Sequence, residues 1–471
     1  MSAPETGRAQ NLISPLIRLI SGSSDGGPSS LSDLRDSETA KAVGLAAAMI
    51  ANNIIALGSS IVFARLIGDY GSLAALVSYL LILTVFGQAM QVATAREGVL
   101  GHLGEGQQLL ATLRRWMVTL SWVTAVVTVI SILARQPIAD LVGVKSDGWA
   151  AAAGLPAGCL YLALSILRGG LQGIGDYRGV GLSLIGEQGS RLVLGAALAI
   201  IGLGVAGAYL GSLLSYVVMS LYCWGRLYGQ LGGTALVPGS AASPAPVSLR
   251  RHVWGAWVAI AGLAVIQLLQ NIDLITAKHQ FDKNTASAYA VTAVAAKVLI
   301  WVAMGAGFYL VPEASRRRAA GEDTRPVLFG ALLIVAVCAI PCLLIYAFAA
   351  HPLLSIVFGP KRAIASDALL PLGAAFAVLA ATYLAVQYML AQKRKGFLIV
   401  IGAVAVIEPI LLLHAAKRPG PFAAVVLLVQ AIGAVLAFAL ALRRRKAPPP
   451  PPSVPRAVAE PEPVPVGSIE S

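Results

Sequence analysis

The sequence predicts an all-α polytopic membrane protein, with about twelve transmembrane helices in two six-helix lobes. Three observations predict it. Of the 471 residues, 57% are hydrophobic and only 12% charged, with mean hydropathy +0.77, where a soluble chain carries roughly a quarter charged residues. The apolar residues fall into runs close to the ~20 that carry a helix across ~30 Å of hydrocarbon, and the alternating ~10-residue segments of a barrel are absent. Finally, with basic residues at the span edges counted with the adjoining loops, 24 of the 35 Lys and Arg fall on one side of those runs, nine on the other, and two, Arg191 and Lys297, inside spans. Basic residues are retained in the cytoplasm, so both termini are expected there.

Residues 1–41 read as a disordered cytoplasmic tail. They are polar and Ser/Gly-rich, and their short "LISPLIRLI" patch suits a membrane surface. The tail lacks the sustained apolar core and cleavage site of a signal peptide. The apolar runs place spans at 42–64, 71–95, 115–134, 149–168, 179–201 and 205–226, then at 252–277, 285–311, 327–350, 366–391, 397–416 and 421–442. The first six make an N-lobe over 42–228 and the last six a C-lobe over 252–443. Between them, residues 229–251 are rich in Gly, Pro, Ala and Ser, the composition of a flexible linker. The halves share features. The first two spans end on Ala64-Arg65 and "ATARE", and the first two of the second half end on Ala277-Lys278 and "PEASRR". Such a parallel repeat is a device of transporters that rock about a central site. Residues 444–471 form a Pro-rich cytoplasmic tail, a composition that favours extended chain.

Several chemistries are excluded. The glycine-rich "GSSDGG" and "GQLGGT" lack the Lys-Ser/Thr ending of a phosphate-binding loop. Neither a zincin motif nor a nucleophile elbow is present. The far-side loops are too short to hold a glycosyltransferase domain, so an enzyme is not expected. The four cysteines, Cys159, Cys223, Cys338 and Cys342, lie in spans without metal spacing and read as apolar fillers. No cofactor or metal is expected, and no nucleic-acid partner.

What remains is a set of ionisable groups at membrane depth, each costing ~2.5–3.5 kcal/mol at a helix centre. They are Glu187 and Arg191 in span 5, Asp273 in span 7, Lys297 in span 8 and Glu408 in span 11, with His414 a weaker candidate. Arg191 lies about 12 residues, roughly 18 Å, into its span; Lys297 and Glu408 are similarly central. Glu187 and Arg191 are spaced i,i+4 with the acid first, the order that favours a self-neutralising pair. Two readings stand: a packing pair, or a cavity-lining Arg191 held by Glu187. Lys297 has no local acid, which points to a water-filled cavity or an anionic ligand. Asp273 sits about four residues from the far end of its span, where water is within reach. Glu408 precedes Pro409, so a role at a helix kink competes with one in the cavity. Asp273, Glu408 and Glu187 are the candidates for ion coupling. Asn52 and Asn53 on span 1, Gln88 and Gln91 on span 2, and Gln267, Gln270 and Asn271 on span 7 are either helix–helix contacts or polar cavity lining.

Three stretches carry a family resemblance. "IVFARLIGDYGSLAALVSYLLILTVFGQAMQVATARE" (61–97) resembles the first helical hairpin of the polysaccharide, or lipid-linked oligosaccharide, flippases of the MATE-like multidrug/oligosaccharidyl-lipid/polysaccharide exporter superfamily. "SILRGGLQGIGDYRGVGLSLIGEQGSRLVLG" (165–195) is similar to their span 4–5 junction, and "HPLLSIVFGPKRAIASDALLPLGAAF" (351–376) to the start of their span 10. Two departures affect the far side: only Asp69 separates Gly68 from Tyr70, and "FGPKRA" lacks the usual aromatic. The resemblance implies a V-shaped pair of lobes that moves a lipid-linked glycan across the cytoplasmic membrane of a bacterium for cell-surface polysaccharide synthesis. It implies a lipid-linked glycan substrate, surrounding membrane lipids, glycan polymerases or glycosyltransferases as partners, and a monomer. A pyrophosphate crossing the membrane core needs cations in place of its water. Arg191 and Lys297 fit that role, with Glu187 beside them and Arg65, Arg96 and Arg316 at the rims as headgroup contacts or interfacial anchors. Two alternatives stay open: a cation-coupled multidrug exporter, favoured by unpaired carboxylates, and a non-transporting scaffold for envelope glycan assembly.

Overall fold

The computed structural model describes residues 38–232, 249–319, 322–392 and 394–443. The surface patch of the expected 1–41 tail, residues 233–248 of the expected 229–251 linker and the 444–471 tail lie outside the described residues, while 38–41, 229–231 and 249–251 are helical. Among the described residues the chain is nearly all helix, with twelve long helices: α1 (Glu38–Leu66), α2 (Tyr70–Val99), α3 (Gln107–Leu133), α4 (Gly154–Gly173), α5 (Tyr177–Leu198), α6 (Gly204–Leu231), α7 (Leu249–Gln280), α8 (Lys283–Ala319), α9 (Arg325–Phe358), α10 (Leu369–Ala391), α11 (Phe397–Leu413) and α12 (Pro419–Ala441). Among the described residues ten apolar stretches are long enough to cross a membrane; one of them, Tyr177–Leu231, holds both α5 and α6, and the 17-residue α11 is shorter. The chain is a polytopic all-α membrane protein.

Local chemistry sets the helix limits. Asp69 fills a two-helix turn and caps α2, accepting from the Ser72 amide at 3.1 Å. Asp176 does the same for α5 through the Gly179 amide at 2.9 Å. Both satisfy amides that a helix start leaves without an internal partner. Gly202 (φ +108°) and Gly204 (φ +49°) occupy the left-handed region that glycine tolerates, and there the chain reverses from α5 into α6. In α9, Pro352 removes a backbone donor and Ala349 leaves helical geometry, kinking the helix. Helix α3 starts at Gln107 rather than near 115, because Arg114 and Arg115 project from it without ending it. Helix α4 runs on to Gly173, beyond the expected end at 168, so Arg168 lies inside the helix and not at its edge.

The packing repeats. In the first half α1 packs on α5, α2 on α4, α3 on α4, α4 on α6 and α5 on α6. In the second half α7 packs on α11, α8 on α10, α9 on α10, α10 on α12 and α11 on α12, the same scheme six helices later. Across the seam the main contact is α2 against α7, with α8 beside them. The α5–α6 contact is tight: a Cβ on Gly211 would lie 2.4 Å from the Gly195 Cα.

Candidate functional site

Residues at the face where α1 starts and α12 ends are on the terminal face below; those at the opposite face are on the far face.

The first half holds a buried ion pair that differs from the sequence expectation. Glu187 is paired with Arg168 of α4 at 2.8 Å, not with Arg191. Arg168 is wholly buried, and its Nε and Nη2 donate to the Ser183 hydroxyl and carbonyl, both at 2.8 Å. The reason is geometric. Antiparallel packing brings Arg168 level with Ser183, one helical turn below Glu187, where three acceptors converge on one fork. Arg191 is left half-buried, with no ion pair or side-chain hydrogen bond among the described residues. It lies within electrostatic range of Tyr70, Tyr209 and Tyr216.

The second half gathers the other candidates. Lys297 of α8 donates to Asn271 Oδ1 of α7 at 3.0 Å and lies 5.6 Å from the Phe376 ring centre. Its side chain is half-buried. Asn271 in turn donates to the Gln267 carbonyl at 2.8 Å. Asp273 does not meet water: it is fully buried and accepts from the Tyr289 hydroxyl at 3.3 Å. Rings of Phe281, Tyr289 and Phe422, with centres 5.1 to 5.6 Å apart, close over that end of α7. Glu408 is also fully buried and accepts from Gln430 of α12 at 2.8 Å. Its partner is therefore a neighbouring helix, not the backbone freed by Pro409. Gln430 also reaches the Leu269 carbonyl at 3.3 Å. Asp273 Oδ1 and Glu408 Oε1 have no hydrogen-bond partner among the described residues. The two carboxyls are close enough to act on each other electrostatically, and Lys297 acts on Asp273 in the same way, though the two form no direct ion pair among the described residues. A pair of buried carboxyls with free oxygens is costly unless a proton or a small cation neutralises it.

The remaining candidates are dispersed. Asn52 and Asn53 are half-buried on α1 and meet at 3.4 Å. Gln88 is half-buried on α2 beside Tyr161, and Gln270 is buried on α7. His414 caps its own helix through the Ile410 carbonyl at 2.8 Å. Arg96 is exposed on the last turn of α2. Arg316 is exposed and paired with Glu313 at 2.9 Å. Arg65 is engaged elsewhere: it donates to the Ile356 and Val357 carbonyls of α9 at 3.0 and 2.8 Å.

That Arg65 contact belongs to a clamp between the halves at the far face, which the sequence reading missed. Lys278 of α7 pairs with Asp69 at 3.0 Å. Arg362 donates to the Ile67 and Gly68 carbonyls at 2.9 and 3.3 Å. The Gly71 amide donates to the Ser287 hydroxyl at 3.0 Å, across a contact where a Cβ on Gly71 would lie 3.1 Å from the Ala286 backbone. Burial alone pushes the Asp69 carboxyl up, but the Lys278 ammonium and the Ser72 amide outweigh it and hold the carboxyl below its usual range. The signal was in the tight "LIGDYG" turn and in "FGPKRA", the two departures from the flippase pattern. At the terminal face the halves meet more lightly: Thr94 of α2 shares a 3.2 Å hydrogen bond with His252 of α7, whose ring lies 5.2 Å from that of Trp116.

No family model and no curated protein matches the sequence. Solved structures do share its fold. The lipid II flippase MurJ in an inward closed conformation superposes with a TM-score of 0.65 at 14% identity, covering 84% of this chain and 87% of that one. An inward-facing multidrug resistance MATE family transporter of the MOP superfamily gives 0.60 at 16% identity, covering 85% and 97%. The Vibrio cholerae MATE transporter VcmN, solved as a point mutant, gives 0.57 at 15%, covering 86% and 96%. The chain is thus a multi-pass membrane protein with the MATE-like two-half fold.

Proposed function

We infer that this protein is an alternating-access transporter that carries an anionic, lipid-linked oligosaccharide or polysaccharide precursor across the cytoplasmic membrane of a bacterium. One observation carries the reading: Arg168 takes Glu187, so Arg191 keeps its charge uncommitted at membrane depth. Lys297 offers a second cation from the other half; its direct contacts are a neutral amide and an aromatic ring, and Asp273 acts on it only at longer range. Two such cations replace the water that a pyrophosphate loses on leaving the headgroup region. The clamp at Asp69, Lys278, Arg65 and Arg362 fits a state closed toward the far face, and its release is the step that would expose the substrate there. Asp273 and Glu408 supply the coupling site, taking a proton or a monovalent cation on their free carboxyl oxygens.

That buried carboxyl pair is also the specific observation favouring the second reading, a cation-coupled multidrug exporter. A strain lacking the gene separates the two. Restored surface glycan with the wild type, its loss with Arg191→Ala or Lys297→Ala, and unchanged drug tolerance support the flippase. Drug efflux abolished by Asp273→Asn, with glycan export intact in the cation variants, supports the exporter.

A further inference from the structure

The α3–α6 pair leaves a groove on the outside of the first half, about 790 Å³ in volume. The buried stripe of α3 is Leu109, Leu113, Trp116 and Leu120. Arg114, Arg115, Val118 and Thr119 stand on another face of the helix and line the groove, opposite Trp224 and Tyr228 of α6. At the terminal face Gln107 bridges to the Gly232 carbonyl at 3.4 Å and ties the groove's end together. Away from that end the groove runs onto the apolar surface of α3, where Val118, Trp122, Val126 and Val129 are exposed. That surface is the bilayer-facing side of the helix, outside the seam between the halves.

The charge in the groove is one-sided. Both arginines are exposed, and among the described residues they form no ion pair or side-chain hydrogen bond and no carboxylate lines the groove. They lie seven and eight residues into α3, about 11 Å along it, where the apolar run of the expected span begins at 115. Trp224 and Tyr228 have the mixed character that settles at that level. A soluble phosphate would satisfy the arginines but leave the apolar length of the groove unfilled. A lipid satisfies both.

We propose that the α3–α6 groove is a binding site for one anionic glycerophospholipid, its phosphate held by Arg114 and Arg115 and its acyl chain lying along Val118 toward the exposed face of α3. On the opposite wall Trp224 stands about level with the arginines and Tyr228 nearer the terminal face, beside the headgroup. The site is separate from the transport pathway proposed above and does not depend on what the protein carries.

The test is native mass spectrometry of the full chain in mild detergent, with added dioleoylphosphatidylglycerol or dioleoylphosphatidylcholine. The wild type is expected to retain one phosphatidylglycerol, and phosphatidylcholine at least tenfold less. Two surface-level arginines correspond to roughly a thirtyfold preference, so R114Q/R115Q is expected to reduce phosphatidylglycerol to the phosphatidylcholine level. The milder R115Q, with an unchanged melting midpoint, is expected to show about a fivefold loss and guards against a folding defect in the double variant. R178Q, an exposed arginine of α5 at the terminal face and outside the groove, is expected to change nothing. The proposal is overturned if R178Q costs as much as R115Q, if the two lipids are retained equally, or if neither is retained. It is also overturned if an equal concentration of a long polyprenyl monophosphate displaces the phosphatidylglycerol, which would make the occupant a carrier lipid.

Discussion

Replacing Arg168 with methionine tests the account of the first half most sharply. Met keeps much of the volume but removes the charge facing Glu187 and the two donors to Ser183. Glu187 is then a buried carboxylate without its cation. Breaking a buried pair from one side costs roughly 3–5 kcal/mol, because the remaining charge stays desolvated. Removing both partners costs far less, so Arg168→Met with Glu187→Gln is expected to recover most of that loss. Arg191→Ala removes a side chain with no ion pair or hydrogen bond among the described residues, and is expected to cost less than about 1 kcal/mol. The assay is the melting midpoint of each purified variant in one detergent. The order expected is Arg168→Met lowest, the double variant intermediate, and Arg191→Ala near wild type. If Arg191→Ala melts as low as Arg168→Met, Glu187 is held by Arg191 and the reasoning fails.

Other consequences follow from the geometry. Gly211→Ala forces a Cβ to 2.4 Å from Gly195 and is expected to lower stability by about 1–3 kcal/mol, read as a reduced melting midpoint. Glu408→Gln removes a buried acid with no cationic partner among the described residues, so the protein should melt no lower than wild type while transport loses its response to an imposed proton or sodium gradient. A large drop in melting midpoint would instead give Glu408 a structural role. The Asp69–Lys278 clamp has a signed pH dependence. The Asp69 carboxyl is held below its usual range, so its contribution is complete above the unfolded value of about 3.9 and is lost as pH falls through the lower folded value. Spin labels on the far-face ends of α2 and α7 should report one distance between about pH 5 and 8, and opening only in stronger acid. Lys278→Gln should open the same distance at neutral pH.

The helices were legible because their signal is local: an apolar run long enough to span needs no knowledge of its neighbours. Arg168 was not, because the fourth span ended on it and hydropathy gave it no partner there. Its role depends on the α4–α5 turn, which sets it opposite Ser183 and below Glu187. The spacing of Glu187 and Arg191 on one helix was readable, but a longer reach from an adjacent helix won the contact through two further hydrogen bonds. Asp273 shows the same limit: depth alone suggested water, and the aromatic rings that exclude it come from α12 and from the α7–α8 turn and helix. The far-face clamp lay in the residues that departed from the family pattern.

The central claim is that Arg191 and Lys297 are the cations that carry an anionic lipid-linked glycan between leaflets. The measurement that meets it directly is leaflet exchange of a fluorescent polyprenyl-pyrophosphate oligosaccharide in proteoliposomes of the purified chain. The account predicts exchange with the wild type and none above protein-free vesicles with Arg191→Ala/Lys297→Ala, at equal incorporation and melting midpoint. Exchange at the wild-type rate by that double variant would contradict it.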